Sequence, residues 1–261
     1  MEKMDIKTEM EVKKIAADLE KKDFIVSELK EREVQKNPLA PLNTSLLQQE
    51  ANKKFGFSAK QTMKIAQELY EGVNIANKNI GLITYMRTDS CSLSEKFTAQ
   101  VKNWIIANLG REYAEEVPRV FKTKTRSAQE AHEAIRPTSA NRAPQEIKSF
   151  LNKNQYRLYD LIWKRAVACQ AKSARVRQMQ ATIKAGGGLF KSNGNTVVFD
   201  GFLKILGVDS KDVILPELKE GERLELEELK PEQHFTEPPP RYGDAALVKA
   251  LEEYGIGRPS T

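Results

Sequence analysis

Apolar residues recur every three or four positions along most of this chain and every second position along the rest, which predicts an α+β fold that is mainly helical. Val12, Ile15, Ala16 and Leu19 mark one amphipathic helix within residues 1–22. Phe24-Ile25-Val26 opens a strand through Leu29 to Val34, ended by Pro38 and Pro41, and so short a strand must pair with a later one. A helix then runs from a cap at Thr44 or Ser45 to Phe55, where Gly56 stops it. A second starts at Ser58, carries Met63, Ile65, Ala66, Leu69 and Tyr70, and closes at Gly72, so the pair leads straight into an extended run at Leu82 to Arg87. Ser92 and Glu95 have the spacing of a capping box for a helix bearing Phe97, Val101, Trp104 and Ile105, with Gly110 as stop. Trp104 sits on that stripe and is expected in the core.

The second half alternates more. Gln129 to Ile135 predicts a short helix ended by Pro137, and Tyr156 to Arg177 a long one with Leu158, Leu161, Ile162, Ala166 and Cys169 inward. Strands are expected at Met179 to Ile183, after a Gly186-Gly187-Gly188 turn, and on both sides of an Asn193-Gly194 hairpin signal. The same sheet should take the Phe24 strand, with Gly221 to Leu229 as a further strand. Pro231 and Pro238-Pro239-Pro240 form a stiff link to a last helix, Asp244 to Tyr254, with Leu247, Val248 and Leu251 on its core side. Residues 1–42, 43–145, 146–240 and 241–261 are the segments this pattern suggests.

Composition narrows the classes. The chain has 261 residues, room for a sizeable core, and 42 cations against 36 carboxylates, a net charge of +6. That excess suits a nucleic-acid partner, although many proteins are as basic. Cys91 and Cys169 are far apart and form no CxxC pair, so neither a zinc ribbon nor a disulfide framework is indicated, and a reducing cytoplasm is the expected setting. No apolar run approaches the ~20 residues of a membrane span, nor does the charged start resemble a signal peptide.

The candidate chemistry lies in Gly81-Leu82-Ile83-Thr84-Tyr85-Met86-Arg87-Thr88-Asp89-Ser90. In extended backbone Tyr85 and Arg87 share one face, where a phenol and a guanidinium could meet one phosphate. A phenol, with a reference pKa near ~10, attacks at neutral pH only when a neighbouring cation or base favours its phenolate, and Arg87 could brace charge on the phosphoryl oxygens. A lone Tyr-X-Arg usually marks a core strand. A second stretch, Ser127 to Thr138, carries His132 and Arg136, which share a helix face with Gln129. His132 could serve as proton shuttle or hydrogen-bond donor, and Arg136 could bind a neighbouring phosphate or support the site.

Together GLITYMRTDS and SAQEAHEAIRPT resemble the cleavage domain of bacterial type IA DNA topoisomerases. Pro41 to Ala51, Thr62 to Gly72 and Gly255-Ile256-Gly257-Arg258-Pro259-Ser260-Thr261 are similar to the same family, in the same order. Asp244 and Ala171 are mild departures from its usual pattern. The resemblance implies a cleavage domain plus a β-containing arch, with Tyr85, Arg87 and His132 as the catalytic group. Arg258, directly after Gly257, suits a phosphate grip and gains from the match; the other candidate DNA contacts are Arg136 and, in the basic run at the end of the long helix, Lys172 and Arg175. The resemblance also implies magnesium in the intact enzyme, bound by an acidic TOPRIM domain whose cluster this sequence does not carry. The expectation is therefore a central fragment, monomeric and cytoplasmic at the nucleoid, with no membrane partner. It should act on single-stranded DNA and negatively supercoiled duplex, weakly or not at all by itself. A non-catalytic single-strand-binding module is the rival of a different class. Relaxases need a histidine cluster for metal, but only His132 and His234 occur; tyrosine recombinases usually place their tyrosine late in the chain.

Overall fold

In this computed structural model residues 6, 8–121, 132–207 and 215–256 are described. The chain divides into two compact units, one formed by residues 1–36, 175–199 and 210–239, the other by 37–174, 200–209 and 240–261.

The first unit is a four-stranded sheet in the order β5-β4-β1-β6, accompanied by helix α1 (Glu9–Leu19). Strand β1 (Phe24–Lys36) buries Phe24 and Val26 and exposes Ile25 between them, a two-residue period that follows from the pleat. β4 (Ala174–Ala185) and β5 (Gly188–Phe199) form a long antiparallel hairpin whose register runs from Ala185 opposite Gly188 to Arg175 opposite Phe199. Its two-residue turn is Gly186-Gly187, with Gly186 at φ 55, the left-handed region that glycine enters at little cost. The Asn193-Gly194 signal is not a turn: these residues lie within β5, opposite Gln180 and Met179. The expected strand at Gly221 to Leu229 shrinks to β6 (Arg223–Leu224), which pairs with Phe24 and Ile25.

The second unit is mainly helical. Helices α2 (Thr44–Phe55) and α3 (Ala59–Glu71) form the predicted hairpin, capped by Asn43 and Ser58, whose side chains accept from the backbone N–H of Leu46 and Gln61. Asn43 takes the cap because the Thr44 hydroxyl is engaged elsewhere, donating to the Met86 carbonyl at 2.7 Å. Between α3 and Leu82 lies a small hairpin, β2 (Val73–Ile75) and β3 (Lys78–Ile80). Sequence reading missed it, although Ala76 and Asn77 both adopt positive φ in its two-residue turn. Helix α4 (Glu95–Asn108) begins at Ser94 without a side-chain cap, so the Ser92–Glu95 capping box does not form.

Helix α5 (Lys153–Ala168) ends well before Arg177. After Cys169 the chain turns extended, with the Lys172 N–H donating to the Tyr113 carbonyl at 2.9 Å, and Arg175 and Arg177 project from β4 rather than from a helix. Trp163 donates from Nε1 to the Ala140 carbonyl and Tyr159 from its hydroxyl to the Arg142 carbonyl, which fastens the 138–147 loop to α5. The four-residue α6 (Leu203–Leu206) and α7 (Asp244–Glu253) complete the unit. On α7 the buried residue is Ala245, whereas Leu247 and Leu251, expected inward, are exposed.

Burial pushes the Cys169 thiol up to about 12, against hydrogen bonding from Gln170 and the charges of Arg165 and Arg119. Burial also raises the Tyr159 phenol, a shift that Arg142 opposes and Glu146 reinforces. Both groups are therefore neutral in the fold at a pH where an unfolded chain ionises them. The stability they contribute is complete below pH 9.0, the ordinary thiol value, and is lost as pH rises toward about 12. Urea midpoints are expected to fall steadily from pH 9 to 11, and Cys169→Ser should flatten the first part of that decline.

Candidate active site

The site is built where two distant segments meet. Leu82 and Ile83 are fully buried, and the Leu82 N–H donates to the Leu69 carbonyl at the end of α3 at 2.8 Å. Gly81 permits this approach, since a Cβ there would stand 2.8 Å from the Tyr70 carbonyl oxygen. Residues 132–138 run antiparallel beside 82–84. Ile83 bridges Pro137, the Thr84 N–H donates to the Arg136 carbonyl at 2.9 Å, and the Thr138 N–H donates to the Leu82 carbonyl at 2.9 Å. Thr84 adds a side-chain staple, donating from Oγ1 to the Ala134 carbonyl at 2.7 Å and accepting the Arg136 N–H at 3.0 Å. The Ile135 N–H donates to the Leu42 carbonyl at 2.7 Å and the Ala134 N–H to the Ser92 carbonyl at 2.8 Å.

This lacing corrects the predicted helix at Gln129 to Ile135. Residues 132–134 have no helical structure, Ile135 bridges Leu42, and residues 122–131, including Gln129, lie outside the described residues. From His132 to Arg136 the expected helix face is replaced by an extended path. The Leu82–Arg87 run is likewise no regular strand, its only ladder contact among the described residues being the Ile83 bridge.

The alternation of faces holds all the same. Met86 is fully buried while Tyr85 is 44% exposed, and Arg87 is exposed. Since Thr84 and Ala134 close the ladder, Tyr85 and His132 leave the paired segments at the same end, and His132 is exposed. Behind them the Thr44 hydroxyl, at the first turn of α2, accepts the Thr88 N–H at 2.9 Å, while the Thr44 N–H donates to the Thr88 carbonyl at 3.0 Å. Tyr85 and Arg87 are thus held on a backbone fixed on both sides.

Arg136 has a different environment. Its side chain is 14% exposed, ion-paired through Nε with Glu133, bonded to the Pro137 carbonyl at 3.0 Å, and stacked over the Phe97 ring at 4.5 Å. Those contacts tie the Arg136 side chain to Phe97 of α4 and to its own segment. Lys172 lines a groove with Lys102 and Arg111, but Glu112, Glu115 and Glu116 line it too, three carboxylates against three cations. Arg175 belongs to the first unit, where it meets Glu33 at 3.4 Å and the Phe199 ring. Arg258 lies outside the described residues. Among the described residues no group of three or more His, Cys, Asp or Glu side chains is arranged so that it could hold a metal ion. Among the same residues no helix is long and apolar enough to cross a membrane.

Two features escaped sequence reading. Tyr70, assigned to the apolar face of α3, is 40% exposed and stands edge-on to Tyr85, ring centres 5.4 Å apart. Beside Arg87 a groove of about 430 Å³ is lined by Gln48, Lys60, Met63, Lys64 and Gln67. The i, i+4, i+7 spacing of Lys60, Lys64 and Gln67 was legible as one helix face, but Arg87 on its rim was not.

Thr84→Val keeps the shape of the staple and removes both bonds, leaving the Arg136 N–H and the Ala134 carbonyl to lose a partner. A loss of about 1–3 kcal/mol in urea unfolding is expected, with Thr84→Ser recovering most of it.

The family model for DNA topoisomerase matches residues 1–261. The DNA topoisomerase 1 of Rickettsia bellii is 46% identical over 269 residues, covering 100% of this chain and 34% of the relative. That of Campylobacter jejuni is 42% identical over 261 residues, again with 100% of this chain and 37% of the relative covered. Full-length topoisomerase I from Thermotoga maritima superposes with a TM-score of 0.83 at 36% identity, covering 100% of this chain and 42% of that one. The chain belongs to the DNA topoisomerase family. Within that family its likeness is to bacterial DNA topoisomerase 1, the type IA group, of whose curated members it spans about a third, 34% and 37% in the two cases given.

Proposed function

We propose that this chain supplies the nucleophile of a type IA topoisomerase, which cuts one DNA strand, lets another pass, and reseals the first. The observation that carries this reading is the Thr84–Arg136 lacing, which presents Tyr85, Arg87 and His132 to solvent from two segments about 50 residues apart. The Tyr85 phenol gives its proton to a solvent water and attacks a backbone phosphorus. A Tyr85 Oη–P bond forms, the P–O3′ bond breaks, and the 3′ oxygen leaves with a proton delivered by His132. Arg87 offsets charge on the phosphoryl oxygens as they crowd. One phosphodiester replaces another, so the reverse attack by the 3′ hydroxyl reseals the strand without ATP. In the intact enzyme this relaxes negative supercoils, and the strand is admitted by movement of an arch.

On this reading magnesium and its ligands come from a TOPRIM domain outside the chain, and the setting is the cytoplasm at the nucleoid. The test is a 5′- and a 3′-labelled single-stranded oligonucleotide, incubated with magnesium, with and without a separately produced TOPRIM fragment, then quenched in denaturant. Adduct on the 5′ phosphate only in the presence of that fragment is expected. A 3′ adduct would assign the tyrosine to recombinase-like chemistry, and no adduct under any condition would leave a strand-binding module.

A further inference from the structure

Among the described residues, Lys60, Lys64 and Arg87 line one groove, and none of its described lining residues is a carboxylate. The Lys172 groove differs, since its three cations face three carboxylates. Much of the Lys60 groove's lining comes from α3, from Ala59 to Gln67. Lys60 and Lys64 are one turn apart on α3, about 6 Å along its axis, and the same helix continues through Gln67 to Tyr70, whose ring lies 5.4 Å from that of Tyr85. Cations repeated along a line suit a polymer of phosphates better than a single small anion. Met63, Gln48 and Gln67 complete the lining, the Gln67 amide donating to Glu71 at 2.5 Å one turn further along α3. Both lysines are exposed, so their charge is available, and neither is needed by the core.

From this we infer that Lys60 and Lys64 form a phosphate track along α3 which, with Arg87, grips a single DNA strand on one side of the Tyr85 hydroxyl. The inference rests on the reading of Tyr85 as a nucleophile toward DNA, and it adds that this chain positions the strand through residues two to three helical turns from the reacting phosphorus. Lys60 and Lys64 are positioning residues, because they hold the strand and touch no reacting atom.

The experiment measures binding of the chain to a fluorescent single-stranded oligonucleotide by anisotropy across a salt series, with no cleavage required. For single strands the slope of log K against log salt changes by about 0.7 per phosphate contact, so Lys60→Ala/Lys64→Ala is expected to flatten it by about 1.4. Lys60→Arg/Lys64→Arg should keep the parent slope, as should Lys102→Ala in the charge-balanced groove. Thermal unfolding of each variant should match the parent. An unchanged slope in the double alanine variant overturns the track, whether or not Tyr85 forms an adduct. A flattened slope in a chain that forms no adduct with the TOPRIM fragment keeps the track and removes the nucleophile reading. Where adduct does form, oligonucleotides shortened from one end only should lose the difference between parent and variant, and that end identifies the side gripped. Equal losses from both ends would overturn the one-sided placement.

Discussion

Replacing Tyr85 with phenylalanine is expected to abolish the covalent DNA adduct and leave both folding and strand binding close to those of the parent. The ring is 44% exposed and its edge-on contact with Tyr70 survives the change, so stability should move by no more than about 0.5 kcal/mol. The oxygen removed is the atom that would bond to phosphorus, and no geometry can compensate for its loss. Because a second phenol stands 5.4 Å away, ring to ring, the comparison must include Tyr70→Phe. Under the proposed reading Tyr70→Phe retains adduct, while Tyr85→Phe retains none in the presence of magnesium and the TOPRIM fragment. Adduct surviving in Tyr85→Phe and lost in Tyr70→Phe would move the nucleophile one residue site over. Arg87→Lys should fall between these limits, since an ammonium keeps the charge but not the planar two-point grip on a phosphoryl group.

Much of the second unit was legible because its helices obey local rules. Ser58, Gly56 and Gly72 punctuate α2 and α3 where a cap and stops are expected, the α2 cap falling one residue before Thr44 at Asn43, and Phe97, Val101 and Ile105 give α4 a buried stripe. The failures occur where long-range pairing overrides propensity. Glu130 to Ile135 is spelled in good helix formers, yet Ile135 gives its N–H to Leu42 and Pro137 bridges Ile83, contacts some 50 to 90 residues away that a local reading cannot weigh. Ala174 and Val176 begin a two-residue alternation with Arg175 and Arg177, but they follow a true helix closely enough for its pattern to be carried past Ala168. The Tyr85–Arg87 face was correct because it depended only on extended backbone. The groove beside it depends on α2, α3 and the Arg87 segment at once, and so required coordinates.

Arg165 provides the largest expected change in stability from a single side chain. Its guanidinium, 10% exposed, meets Glu50 at 2.9 Å and the Ala40 carbonyl at 3.4 Å on the wall of a cavity of about 250 Å³. Arg165→Met fills a similar volume, with Leu161, Phe55 and Phe202 lining the same cavity, but it leaves the Glu50 carboxylate half-buried beside an apolar chain. Removing one partner of a buried pair costs about 3–5 kcal/mol in general. Here the Glu50 side chain keeps 22% of its exposure and Lys54 remains 3.9 Å away, so about 2–3 kcal/mol is the reasoned loss. Glu50→Gln/Arg165→Met removes the stranded charge, and if desolvation of the pair nearly cancels its attraction, the double variant should regain most of what the single one lost. Urea unfolding at unchanged m reads both values. A double variant as unstable as Arg165→Met would show instead that the ion pair itself, rather than the cost of isolating Glu50, holds α5 to α2.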